Sequence, residues 1–188
     1  MKCVRTWSVS GSDHAGYETA WVDLGEPGTL RARGRAVGTS PVPYWVTYEL
    51  ETGDRYVTRR LRVSVEDADR TRELDLVRGA DGQWTANGGP LPEVAGALDC
   101  DLGLCPMTNT MPVRRHGLHL GPGEHTFLMA WVKVPELTVG PSRQTYTHLA
   151  RTERGARVRY ASGTFRSDVE FDEDGVVVDY PQLARALT

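Results

Sequence analysis

The feature that most limits what this chain can become is a two-residue rhythm of apolar and polar side chains. Helical 3.6-residue periodicity is nearly absent. Residues 44–50 show the rhythm at its clearest: Tyr44, Val46, Tyr48 and Leu50 alternate with Trp45, Thr47 and Glu49. Successive side chains of a strand point to opposite faces, so such a run buries one face and wets the other. The pattern recurs in roughly a dozen short runs, about 8–12 residues apart, with Gly, Pro, Asp and Asn between them. That spacing predicts an antiparallel all-β domain: a curved sheet, barrel or sandwich. At 188 residues the chain is expected to be a single domain spanning 1–188. It is long enough to bury about 70% of its unfolded surface without staples.

The runs place particular residues. A short first strand ends at Trp7, and residues 11–16 form a polar turn. Residues 17–24 and 30–37 are paired strands, with Leu30, Ala32, Gly34 and Ala36 inward and Arg31, Arg33 and Arg35 on a solvated face. Residues 52–54 turn the 44–50 strand into 57–65, where strict alternation puts Arg59 on the apolar side with Val57, Leu61, Val63 and Val65. A guanidinium there needs a buried carboxylate or a wet cavity, because an unpaired buried charge is costly. Residues 74–77 and 83–85 flank an Asp-Gly hairpin turn, and residues 91–98 suggest a short helical turn. Residues 113–120 read as a strand. Residues 126–134, apolar on both faces, read as a central, doubly covered strand. Residues 144–150, 157–161, 165–171 and 176–179 continue the meander, with Phe165, Val169 and Phe171 inward, and a terminal helix follows residue 183.

Residues 98–115 break the rhythm. The run LDCDLGLCPMTNTMPVRR crowds two aspartates, two cysteines, two prolines, Thr-Asn-Thr and Arg-Arg into one long loop. Loops of that length are uncommon and are often functional. Asp99-Cys100-Asp101-Leu102 followed by Pro106-x-Thr108-Asn109-Thr110-x-Pro112-Val113-Arg114-Arg115 resembles the signature of a bacterial family described as "putative glycolipid-binding". The likeness extends through Trp7, residues 44–60, Asp81-Gly82-x-Trp84, Pro135-x-Leu137, Gln144-x-Tyr146 and residues 175–183, nearly the whole chain. The resemblance implies a strongly curved antiparallel β-roll or open barrel with very little helix, similar in outline to periplasmic lipoprotein carriers.

Familiar chemistries fit poorly. A bare Asp99-x-Asp101 is shared with metal-nucleotide and phosphatase motifs, but those sit at the ends of parallel strands in α/β folds. The phosphatase motif also needs a hydroxyl where this chain has Gly103. The histidines are His14, His116, His119, His125 and His148; His116 and His119, on a strand, face opposite sides. With Cys100 and Cys105 they lack the short-spaced cysteine pairs of structural zinc sites, so no metal is expected. No nucleophile elbow or phosphate loop is present, and no cofactor is expected. A net charge of −3 and a pI near 6.0 speak against general nucleic-acid binding. The odd cysteine count argues for free thiols at Cys100 and Cys105. Residues 1–13 lack the apolar core of a signal peptide, and no run is long enough to span a membrane. The expected location is the cytoplasm. The sequence does not set an oligomeric state.

Tyr44, Trp45, Tyr48, Trp131, Tyr146 and Tyr160 lie on expected strands, as core or as the lining of a cavity. The resemblance implies a glycolipid or other amphipathic ligand held in an apolar cavity without catalysis. Arg59, Asp99, Asp101, Thr108, Asn109, Arg114 and Arg115 would order its mouth, and Tyr146 and Trp131 would line it. Two alternatives stand beside this reading. One is a cofactor-free enzyme in the same cavity, using Arg59, Tyr146 and Asp101. The other is a structural or interaction protein whose loop is architectural.

Overall fold

The computed structural model describes residues 1–11 and 15–187, so His14 and part of the turn expected at 11–16 lie outside the described residues. Among the described residues, fifteen strands hydrogen-bond into one sheet that does not close, and 59% of residues are strand and 9% helix. The first eight form a meander: β1 (Lys2–Ser10), β2 (Ala15–Asp23), β3 (Arg31–Gly38), β4 (Tyr44–Thr52), β5 (Thr58–Asp67), β6 (Thr71–Arg78), β7 (Trp84–Ala86) and β8 (Gly89–Pro90). The chain then crosses to the far edge as β9 (Asp99–Leu102) and makes the six-residue helix α1 (Thr110–Arg115). It meanders back through β10 (Glu124–Val132), β11 (Val139–Thr152), β12 (Gly155–Ser162), β13 (Phe165–Asp172), β14 (Val177–Tyr180) and β15 (Ala184–Leu187), which pairs with β1.

The sheet rolls over far enough for its far edge to meet its other half. The Thr58 amide at the start of β5 donates to Leu98 O (3.0 Å), and the Cys100 amide in β9 donates to Thr58 Oγ1 (3.1 Å). Inside the curl lies one core, including Trp7, Leu30, Leu61, Trp84, Met107, Met111, Leu118 and Phe171. Alternation does most of the work. β4 is buried at every second residue, and the outward arginines of β3 are exposed. Two glycines make room for the tyrosines opposite them. A Cβ at Gly34 would sit 2.2 Å from the Tyr48 ring, and one at Gly38 would sit 2.2 Å from the Tyr44 ring.

Several expectations are corrected. Arg59 is exposed, while Thr58 and Leu61 are buried. A β-bulge explains this: Thr52 pairs with Thr58 but Glu51 pairs with Arg60, so Arg59 is the extra residue and side-chain parity resets there. Residues 113–120 are not a strand; α1 runs through Val113–Arg115 and turns follow. His116 and His119 therefore sit in those turns. The expected terminal helix is strand β15. The first strand is nine residues long and runs past Trp7. β10 is second from the edge, and its β9 neighbour runs parallel to it, a departure from the otherwise antiparallel sheet. The helical turn near residue 92 is present as a 3-10 turn, Pro92–Val94.

Candidate functional site

Residues 98–115 fold into a plug, and their charged residues divide between two tasks. The first is fastening. Asp99 ends up fully buried, because β9 lies along β10 with Asp99 beneath α1. Arg115 returns from the end of α1 to meet it in a two-pronged ion pair, with Nη1 donating to Oδ2 at 2.6 Å and Nη2 to Oδ1. Burial raises the Asp99 carboxyl, and Arg115 offsets part of that rise. The same guanidinium donates to Arg55 O (2.8 Å) and Tyr56 O (3.0 Å). Those two residues hold left-handed backbone, φ +55° and +60°, in the β4–β5 turn. Arg115 thus pins α1 to a strained turn. Arg114 donates to Asp174 O and lies over the Tyr56 ring, 5.1 Å from its centroid. Met107, Met111 and Val113 fill the space beneath.

The second task is a polar layer. Asp101 accepts from Thr108 Oγ1 (2.9 Å) and from Gln144 Nε2 (2.6 Å) on β11. Two places along the same face of β11, the Tyr146 hydroxyl donates to Asn109 Oδ1 (2.8 Å), and Asn109 Nδ2 donates to Pro106 O (3.2 Å). Thr108, Asn109, Gln144 and Tyr146 are buried; Asp101 is half-buried. Desolvation raises the Asp101 carboxyl, with the Gln144 and Thr108 bonds acting against it. Burial holds the Tyr146 phenol well above its ordinary value, so it stays a neutral donor.

Asp101 and Asn109 form the floor of an open cleft of about 830 Å³ beside the plug, which falls within the size range of small-molecule sites. One wall is aromatic: Tyr160 on β12, Phe165 on β13 and Tyr180 on β14, with ring centroids 5.7–6.5 Å apart. Tyr160 also meets Tyr146 edge-on at 5.3 Å, which joins the wall to the polar layer. Trp131, on β10, also lines the cleft. It is 37% exposed, and Phe165, on the inward face of its strand, is 40% exposed because that face opens here.

Of the residues singled out in the sequence, Asp101, Asn109 and Trp131 line the cleft, and Thr108 and Tyr146 stand directly behind it. Asp99, Arg114 and Arg115 are committed to fastening, and Arg59 lies outside on its bulge. Trp45, at 67% exposure, belongs to neither core nor cleft. Gln144 and Tyr180 lie in segments that carry the family likeness, but the sequence does not single them out as site residues. Gln144 is two residues from Tyr146, and that spacing alone puts the two on one face. No residue spacing ties Tyr180 to the site.

Cys105 also lines the cleft, but burial lifts its thiol far above the ordinary range and makes it a poor nucleophile. Among the described residues no three His, Cys, Asp or Glu side chains form a metal site. A second hollow of about 810 Å³ lies on the outer face around Trp21, Arg33, Glu49 and Arg62, where Arg62 and Glu49 pair at 3.2 Å. It is a groove in a charged surface.

The chain resembles two solved structures. A DUF1089 family protein from Pseudomonas aeruginosa is 29% identical, with a TM-score of 0.75 over 90% of this chain and 92% of that one. A beta-barrel-like protein of domain of unknown function DUF1849 from Brucella abortus has a TM-score of 0.59 over 100% of this chain and 95% of that one; at 8% identity the likeness is one of fold. No curated protein matches the chain. The model of the family described as "Putative glycolipid-binding" matches residues 4–186, and the chain belongs to that family.

Proposed function

We propose that the chain, acting as one domain over its whole length, binds a glycolipid or similar long-chain amphiphile without transforming it. The ligand lies in the cleft beside the plug, since the plug's methionines fill the interior of the roll. The observation that carries this reading is the pairing of the Asp101–Asn109 floor with the aromatic wall of Tyr160, Phe165 and Tyr180. Amphiphiles need such a combination: hydrogen-bonding groups for the head and apolar surface for the chain. Capture without chemistry fits an Asp101 whose oxygens already accept two bonds and a Cys105 thiol that stays protonated. No helix among the described residues is long and apolar enough to cross a membrane, and we place the protein in the cytoplasm. The Asp99–Arg115 clamp favours a second reading for its own half of the signature, which is architectural.

Titration of the protein with octyl, nonyl and decyl β-glucosides tests this. Burying each added methylene should tighten binding by up to about fourfold. Ser162→Trp, which fills the cleft from its rim, should abolish binding and leave the melting temperature unchanged. Affinity independent of chain length, or undiminished binding to Ser162→Trp, would remove the reading.

A further inference from the structure

Resting on the reading that the cleft holds an amphiphile, we infer that it selects an uncharged polyol headgroup and rejects phosphate and other anions. Lys2 and Lys133 are the only lysines among 22 basic residues; the rest are arginines. Among the described residues no arginine lines the cleft. Guanidinium forks are the protein's natural partner for phosphate, and the two that share the signature segment with Asp101 and Asn109 are spent elsewhere: Arg115 on Asp99, Arg114 on Asp174 O. The cation that does reach the cleft, Lys133, is neutralised by Glu136 at 3.4 Å, which also lines it. The floor then meets an anion with the acceptor oxygens of Asp101, with no free cation among the described lining residues beside them.

The floor suits hydroxyl groups. A carboxylate offers about four acceptor positions; Thr108 and Gln144 occupy two and fix its plane, leaving the others for sugar hydroxyls. Asn109 spends one amide hydrogen on Pro106 O and has a second to donate. An acceptor beside a donor matches neighbouring hydroxyls, each of which gives and takes a hydrogen bond. The rings of Tyr160, Phe165 and Trp131 offer apolar surface for the C–H face of a sugar. An acid with aromatic rings also suits a quaternary ammonium, but that needs rings arranged around the charge. Here Tyr160, Phe165 and Tyr180 pack against one another at tilted or edge-on angles and form a wall.

The test is titration calorimetry with three probes of one chain length, each below its micelle threshold: dodecyl β-maltoside, dodecyl phosphate and dodecyltrimethylammonium. The maltoside should bind about tenfold or more tighter than either charged probe. Asp101→Asn should weaken maltoside binding by about tenfold to a hundredfold, the loss expected for hydrogen bonds to a charged acceptor, and should narrow the gap to dodecyl phosphate. A charged probe that binds as tightly as the maltoside overturns the polyol inference and leaves the amphiphile reading standing. Failure of all three to bind removes both. The wild-type comparison decides even if Asp101→Asn folds poorly. If that variant folds and binds maltoside at full strength, Asp101 is not the headgroup's partner.

Discussion

Asp99 and Arg115, 16 residues apart, close on each other with side chains each 1% exposed, so the signature segment is tied at both ends by one ion pair. Removing one partner leaves the other charge buried and alone. Arg115→Ala should therefore cost about 3–5 kcal/mol in a denaturant titration. The double variant Asp99→Leu/Arg115→Met should be less destabilised than Arg115→Ala, since an apolar pair leaves no orphaned charge; the Arg55 and Tyr56 carbonyls would still lose their donor. A single variant within about 0.5 kcal/mol of wild type would refute the clamp.

Glu18 should give stability a slope with pH. It is fully buried on β2; the Tyr48 hydroxyl donates to it, the Met107 amide approaches, and Oε2 is left without a hydrogen bond. Desolvation lifts its carboxyl to about 8, with the Tyr48 and Met107 contacts only partly opposing the rise. A carboxyl raised by folding binds its proton more tightly in the native state. Its contribution is then full below the unfolded value, near 4.5, and is lost as pH rises toward about 8. The slope is up to about 1.4 kcal/mol per pH unit. Asp99 and Asp101 are shifted in the same direction, so the comparison that isolates Glu18 is wild type against Glu18→Gln. Denaturation from pH 5 to 9 should show the variant gaining on wild type as pH rises; parallel curves would contradict this.

Gly34→Ala should destabilise by about 1–3 kcal/mol through overpacking. The new methyl meets the ring of Tyr48, which is buried and whose hydroxyl is bonded to Glu18. Thermal melts of Gly34→Ala beside Gly121→Ala, where a Cβ would meet nothing within 4 Å, separate the clash from a general loss of glycine. Equal melting shifts would show that Tyr48 yields.

Much of this was legible in the sequence because alternation is a local signal. The burial of β4 follows residue by residue from Tyr44 to Leu50. The same rule failed at Arg59, since a bulge adds one residue on one strand and no composition marks it. It failed at Val113 because six residues of helix are too few to show their own period, and Pro112 within α1 looks like a breaker. It failed at the C-terminus because β15 is four residues long, shares only two paired positions with β14, and finds its other neighbour, β1, at the far end of the chain, with Trp7 opposite Ala186. In the site, Asp101 and Asn109 stand out through the signature segment, and Tyr146 as an aromatic on an expected strand. Tyr180 was invisible because only the packing of β12, β13 and β14 brings its ring to Tyr160 and Phe165.

Hydrogen–deuterium exchange with and without decyl β-maltoside locates the ligand. Exchange should slow in the segments around Asp101–Cys105, Trp131–Pro135 and Tyr160–Phe165, which border the cleft. Slowed exchange confined to β2, β3 and β4 around Trp21, Arg33 and Glu49 would place the ligand in the outer groove instead and rule out the cleft.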